Sequence, residues 1–284
     1  MKLQKMDGSR EVVNLAHNFK KKMINQIYQK RWQKLKKDIK EEKLLIHQIS
    51  NIVTINDCAN ITLNWGALPV MSYFPEESVE IVKDSSALVL NLGTITEMRL
   101  DSMLKTGKKA NELCIPIVLD PVGAGAAEYR TKAAEKIIKE LKISIVKGNK
   151  AEISALAGEN AELKGVESIG DYTKIDQTAK KLAAELNTIV VVSAETDIIS
   201  NGKTTKKIAR GSSLMAEVVG TGCMLGTTLG VFTAASKTSG LTFFEAVETA
   251  VYYYNLAAEK AEIEEQTPAK FKREFMDNIY LFNK

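Results

Sequence analysis

Cysteine is scarce in this chain. Cys58, Cys114 and Cys223 are the only three in 284 residues. Odd in number and far apart, they supply neither a disulfide framework nor a paired metal-ligand spacing, which fits a reducing cytoplasm. Long apolar runs are missing as well. No stretch approaches the roughly eighteen apolar residues of a membrane span, and the Lys-rich opening is not followed by the apolar core of a secretory signal. A soluble protein with no membrane partner is expected. Low-complexity linkers and clear repeats are also absent, and 45% hydrophobic content over this length can bury one large core. One catalytic body follows as the expectation.

Charge is unevenly spread. The net charge of +4 hides the fact that twelve of the 39 Lys/Arg, but three of the 35 Asp/Glu, fall in the first forty residues. The remainder holds 27 basic against 32 acidic residues, a net of −5. A nucleic-acid enzyme would carry its positive patch beside the chemistry rather than on an appendage, so no nucleic-acid partner is expected. Phe19, Met23, Ile27 and Tyr28 recur at helical spacing amid Lys20 to Lys22 and Lys34 to Lys37. That pattern predicts one long amphipathic helix to about residue 40, solvated and packed by one stripe. The chain thus divides into a basic helical extension, 1–43, and a body, 44–284.

The body repeats one unit: a β-branched or Leu run, a polar residue, a glycine, then a helical pattern. The runs are Ala87 to Leu90 before Asn91, Ile117 to Leu119 before Asp120, Ile143 to Val146 before Lys147, and Ile189 to Val192 before Ser193. Continuously apolar strands alternating with helices predict an α/β fold with a mostly parallel central sheet flanked by helices. Ligands bind such sheets beyond the carboxyl ends of the strands, where the four polar residues would gather. Asp197 to Ser200, Asn201-Gly202 and Thr204 to Ala209 read as an antiparallel edge hairpin with Asn-Gly at its turn. Helices from about Phe244 to Glu264 and from about Ala269 close the chain.

Val218-Val219-Gly220-Thr221-Gly222-Cys223 is a glycine turn opening directly into a helix. Small residues let backbone amides approach a phosphate, and the helix N-terminus adds unpaired N–H groups and a positive dipole end. A dinucleotide fingerprint would open a βαβ series, whereas only helices follow here. Gly202-Lys203-Thr204 fails as a phosphate loop because Asp197 stands where its first glycine belongs. Asp120-Pro121-Val122-Gly123 puts a carboxylate at a strand end, suited to a hydrated Mg²⁺ near phosphates or to a helix cap. Lys147 at the end of an apolar strand calls for an anion. Asn149 with Glu152 three residues on makes a capping-box pattern.

Taken together, these segments resemble hydroxyethylthiazole kinase, of the ribokinase-like fold. The resemblance rests on Leu45 to Thr54, Gly66 to Met71, Leu88 to Thr94, Asp120 to Gly125, Lys147 to Ile153 and Gly220 to Cys223, in the family's order from about residue 44 onward. It implies an ATP-dependent, Mg²⁺-assisted phosphorylation of 4-methyl-5-(2-hydroxyethyl)thiazole in thiamine salvage. Asn51, Met71 and Gly220 would line the thiazole pocket, with Gly220, Gly222 and Cys223 forming the catalytic turn. Lys147, Ser193 and Asp120 would serve ATP, and Asp120 with Glu152 would organise Mg²⁺ through water. The family also implies a homotrimer with sites between subunits. Related kinases keep Asp where Cys223 stands, so Cys223 reads either as a weak general base or as a small space-filler at a tight turn. Two other functions are weighed: a kinase for another vitamin precursor, of hydroxymethylpyrimidine or pyridoxal type, and a silent ATP-binding regulator. Every recognisable catalytic element lies after residue 44, so the basic segment before about Gln29 is expected to be dispensable for turnover.

Overall fold

A computed structural model describes residues 7–159, 163–164, 167–168 and 173–284, with side chains from residue 22 onward outside the 163–168 pair. Helix α1 spans Asp7–Glu42, followed by β1 Leu45–Ile49, α2 Ile55–Asn64, β2 Leu68–Met71 and α3 Pro75–Ile81. Next come β3 Ala87–Asn91, α4 Glu97–Glu112, β4 Ile117–Asp120, α5 Glu128–Glu140, β5 Ile145–Asn149 and α6 Lys150–Leu156. A short antiparallel pair, β6 Leu163–Lys164 and β7 Glu167–Ser168, precedes α7 Ile175–Leu186, β8 Ile189–Ser193, β9 Asp197–Ser200 and β10 Thr205–Ile208. Helices α8 Thr221–Ser239, α9 Phe243–Glu264 and α10 Pro268–Phe282 complete the chain.

The eight-stranded sheet runs β10-β9-β8-β5-β4-β3-β1-β2. Its six central and far strands are parallel, and β9 and β10 turn back antiparallel at one edge. Alternate side chains of each strand enter different cores, as the pleat requires. Ile46, Val89, Val118, Ile145 and Val191 join α1, α8, α9 and α10 in one. Leu88, Leu90, Leu119, Val146 and Val190 join α4 to α7 in the other. Helix α8 is buried almost all round, from Met224 to Ser236, which its unbroken run of small and apolar residues permits.

Three local expectations change. The strand expected from Ile143 runs instead from Ile145 through Lys147 to Asn149, because the pairing of β5 with β8 extends past the apolar run. The hairpin forms, but Asn201 pairs with Thr204, so Gly202-Lys203 and not Asn201-Gly202 sits at the centre. Gly202 alone takes the positive φ, +82°, that a two-residue turn with glycine first demands, and Asn201 Oδ1 instead accepts from the Lys203 and Thr204 amides. Along α1, Met23 and Ile27 are exposed and the packed stripe is Tyr28, Trp32, Leu35 and Ile39; the Phe19 side chain lies outside the described residues. Trp32 meets Trp65, Phe232 and Tyr253, each at 5.4 Å between ring centroids. Its indole and the Lys36 ammonium both donate to the Phe282 carbonyl at the end of α10, where cations and donors suit the helix C-terminus.

Candidate active site

The carboxyl ends of β1, β3, β4 and β5 converge on the start of α8. Asn51, just after β1, donates through Nδ2 to Asn91 Oδ1 at 2.9 Å, to Thr54 Oγ1 at 2.8 Å and to Cys223 Sγ at 3.4 Å. Asn91, the last residue of β3, donates to Asp120 Oδ2 at 2.9 Å, and Lys147 Nζ lies 3.4 Å from Asp120 Oδ1. Four strands therefore deliver a continuous polar chain from Asn51 to Lys147, and Asp120 is fully buried within it. Such a chain holds each member's rotamer, because every amide and carboxylate oxygen named has a partner.

Gly220 opens α8 with φ +98°, and a β-carbon there would lie 2.8 Å from Thr54 Cγ2, so only glycine makes this turn. No side chain caps the helix. At Gly222 a β-carbon would lie 3.1 Å from Lys147 Nζ, so the missing side chain is what lets the ammonium stand against the first turn. A cation and the positive end of a helix dipole thus point into one space. Their mutual repulsion is relieved by an anion between them.

The surrounding electrostatics fit that reading. Burial pushes the Asp120 carboxyl up to about 7 against the pull of Lys147, and Glu152 adds to the rise. Burial also works against the Lys147 charge, yet Asp120, Glu152 and Cys223 outweigh it and hold the ammonium above its ordinary range. Lys147 is the cation of the cluster. Burial, then Asp120, raises the Cys223 thiol above its usual value, with Lys147 pulling the other way, so Cys223 is a neutral thiol at pH 7. Glu152 accepts from the Gly123 amide at 2.9 Å and from the Asn149 amide at 2.8 Å, while its own N–H donates to Asn149 Oδ1. The capping-box pattern is therefore present, and it ties the Asp120–Gly123 turn to the start of α6.

Ser193, ending β8, donates to the Gly148 carbonyl and faces a cavity of about 770 Å³. That cavity is lined by Asn149, Ser193, Asp197, Ser212, Gly222 and Asn255, among others, and so adjoins the anion space at Gly222. Met71 ends β2 beside Gln48 of β1, half-buried and outside the hydrogen-bonded group. Residues that pattern reading did not single out also build the site. Thr54 seats Asn51, Tyr254 donates to the Thr221 carbonyl at 2.5 Å, and Asn255 donates to Asp197 Oδ2 at 2.6 Å. Tyr254 and Asn255 sit in a helix remote in sequence, and only the apolar face of that helix was readable.

The sequence pattern of the hydroxyethylthiazole kinase family matches residues 36–284. This chain belongs to the hydroxyethylthiazole kinase family. It is 46% identical over 248 residues to a hydroxyethylthiazole kinase of Thermoanaerobacter pseudethanolicus, covering 87% of this chain and 92% of that one. The structure of the hydroxyethylthiazole kinase protein from Pyrococcus horikoshii OT3 superposes with a TM-score of 0.80 at 36% identity, covering 89% of this chain and 93% of the other. A ribokinase-like superfamily protein from Enterococcus faecalis shares the fold alone, at TM-score 0.62 and 12% identity over 87% and 89% of the two chains. The hydroxyethylthiazole kinase family match begins at residue 36, so Tyr28 and Trp32 pack the core from outside it. Among the described residues no helix is long and apolar enough to cross a membrane.

Proposed function

We propose that this protein phosphorylates the hydroxyl of 4-methyl-5-(2-hydroxyethyl)thiazole with ATP in thiamine salvage, in the cytoplasm. The observation that carries the reading is the meeting of the Lys147 ammonium with the uncapped first turn of α8 at Gly222. That space suits the transferring phosphoryl group, with the triphosphate reaching it from the cavity at Ser193 and Asn149. Lys147 and the Gly220-Thr221-Gly222-Cys223 amides would neutralise charge as it spreads over the phosphoryl oxygens, while Ser193 contacts the nucleotide. Asn51, bonded to Cys223, would border the substrate end with Gly220, and Met71 at the end of β2 would serve the site of a neighbouring subunit.

Magnesium is tested by the donors present. Among the described residues no cluster of three or more acidic, His or Cys side chains forms a metal cage. Both Glu152 oxygens already accept amides, and Asp120 has one partner on each oxygen. Two carboxylates with spare lone pairs fit a Mg²⁺ that keeps its water and arrives on ATP, since this ion is commonly held by one or two carboxylates plus phosphates. Bound there, it would neutralise the β and γ phosphates. Asp120 and Glu152 would hold its water.

With Cys223 a neutral thiol, most of the rate would come from alignment and charge, because a loose phosphoryl-transfer transition state asks little of a base. A homotrimer completes the proposal. Ile52, Val53, Tyr73 and Phe74 are exposed near the Asn51 and Met71 ends of β1 and β2, an apolar rim that a neighbouring subunit would cover. The test is turnover with ATP and Mg²⁺ against a panel of vitamin-precursor alcohols. The thiazole alcohol should give the highest kcat/KM; preference for a pyrimidine or pyridoxal substrate, or no turnover of any, would sink the proposal.

A further inference from the structure

Loop residues 209–213, between β10 and the short 3-10 helix Ser213–Glu217, form one wall of the cavity assigned above to ATP. This wall is braced by α9, whose Glu259 lines the same cavity. Glu259 of α9 accepts from the Gly211 amide through Oε1 at 3.2 Å and from Arg210 Nη2 through Oε2 at 2.5 Å. The same guanidinium lies over the Tyr252 ring, 4.7 Å from its centroid, and donates Nη1 to the Tyr252 hydroxyl at 2.8 Å. That hydroxyl in turn donates to Asn25 Oδ1, in α1, at 2.7 Å. One turn further along α1, Tyr28 stacks on Tyr252 with centroids 3.8 Å apart and planes 15° from parallel. Tyr28 also donates to Glu248 Oε1, whose other oxygen accepts from Arg31.

Asn25, Tyr28 and Arg31 all precede residue 36, where the family match begins. A run of polar contacts therefore leads from the extension to a nucleotide-facing loop. The Tyr252 hydroxyl is donor and acceptor at once, which fixes it in one place, and the Arg210–Glu259 pair is only 20% and 31% exposed at its side chains. A loop fixed beforehand spares its ordering entropy when ligand binds.

We propose that α1, through Asn25, Tyr252 and Arg210, sets the geometry of the 209–213 loop and thereby the affinity for ATP. These are positioning residues, and the proposal rests on the cavity being the nucleotide site. The relay acts on binding and leaves the transfer step to Lys147 and the α8 turn. It also gives the N-terminal segment a role that the shared catalytic elements do not need.

Full-length variants test it. Tyr252→Phe keeps the ring stacked on Tyr28 and removes only the bridging hydroxyl; Asn25→Ala cuts the relay at α1; Arg210→Lys keeps the charge but loses the forked geometry. In each, KM for ATP and the Kd for a non-transferable ATP analogue, measured by calorimetry, should rise roughly three- to tenfold, as loss of one or two hydrogen bonds implies. kcat at saturation, KM for the thiazole and Tm should stay near wild type. Unchanged nucleotide affinity in Tyr252→Phe or in Asn25→Ala, neither of which lines the cavity, would overturn the relay, as would a joint fall in kcat, thiazole affinity and Tm. Ala216→Trp, which fills the same cavity from its rim, separates the underlying assignment. If it leaves nucleotide affinity intact, the cavity is not the ATP site and the relay falls with it; if it abolishes binding while Tyr252→Phe binds normally, the relay alone is wrong.

Discussion

Cys223 shows how tertiary surroundings decide the chemistry of one side chain. A helix N-terminus alone lowers a thiol's pKa, and from that one fact a thiolate base is conceivable. Burial and the facing Asp120 carboxyl reverse the direction. Iodoacetamide should accordingly label exposed Cys114 readily at pH 7 and Cys223 slowly, with Cys223 labelling accelerating only above the ordinary thiol range; Cys58, pushed up to about 11 by burial, should resist throughout. Mass spectrometry of the alkylated sites reads this directly. The same argument ranks the variants. Cys223→Ala should keep kcat within about threefold of wild type, because base assistance to a loose transition state is small. Cys223→Asp should be worse, since a second carboxylate would face Asp120 and the incoming phosphates. A drop well beyond tenfold in the alanine variant, with rescue by aspartate, would restore the base role.

At the scale of elements, α8 is the piece on which site and core meet. Its uncapped first turn faces the Lys147 ammonium and its middle lies directly on the sheet, where a β-carbon on Gly230 would approach Val89 Cγ2 to 2.8 Å. Gly230→Ala gains helix propensity worth up to about 1 kcal/mol, yet overpacking against β3 typically costs 1–3 kcal/mol. The net expectation is a modest loss of Tm. Where α8 relieves the clash by lifting away from β3 rather than by displacing the Val89 methyl, turnover should fall as well, and a variant as stable and active as wild type would show that the contact is slack. The strands illustrate which elements could be read in advance. β3, β4 and β8 announce themselves as apolar runs buried on both faces. β1 does not, because His47 and Gln48 interrupt it; Gln48 is buried through hydrogen bonds with Thr62 and Thr227, partners that no local pattern pairs with it. Two of the eight strands, β1 and β2, thus entered the sequence reading only through family resemblance.

For the whole molecule, the instructive segment is the N-terminal helix. Its charge marks it as an appendage, but from Tyr28 onward one face of α1 is core. Trp32→Ala should cost about 3 to 5 kcal/mol by emptying a cage of three aromatic rings, lowering Tm by on the order of 10 °C. Removal of residues 1–21 should leave both stability and turnover unchanged. A cut before Gln29 should instead raise KM for ATP, because it takes away Asn25 and Tyr28 and uncovers Tyr252. The simpler expectation, that everything before Gln29 is dispensable, would stand if that truncation kept wild-type nucleotide affinity. Calorimetric unfolding and steady-state kinetics on the two truncations distinguish these outcomes.

The sequence by itself determined the α/β class, the antiparallel edge, the glycine turn into a helix and the polar residues at strand ends. Each of these depends on period, on turn chemistry or on the geometry of consecutive residues, which are local quantities. Tertiary structure alone decided that Asn51, Asn91, Asp120 and Lys147 form one hydrogen-bonded chain, since it requires residues 27 or more positions apart, on different strands, to lie side by side in register. It also decided that Cys223 keeps its proton, because burial and a facing carboxyl are properties of the folded neighbourhood. Most plainly, it decided which stripe of the lysine-rich helix joins the core: Tyr28, Trp32, Leu35 and Ile39, while Met23 and Ile27 stay exposed. Trp32 is buried because α8, α9 and α10, more than 180 residues away in sequence, present an aromatic floor for it.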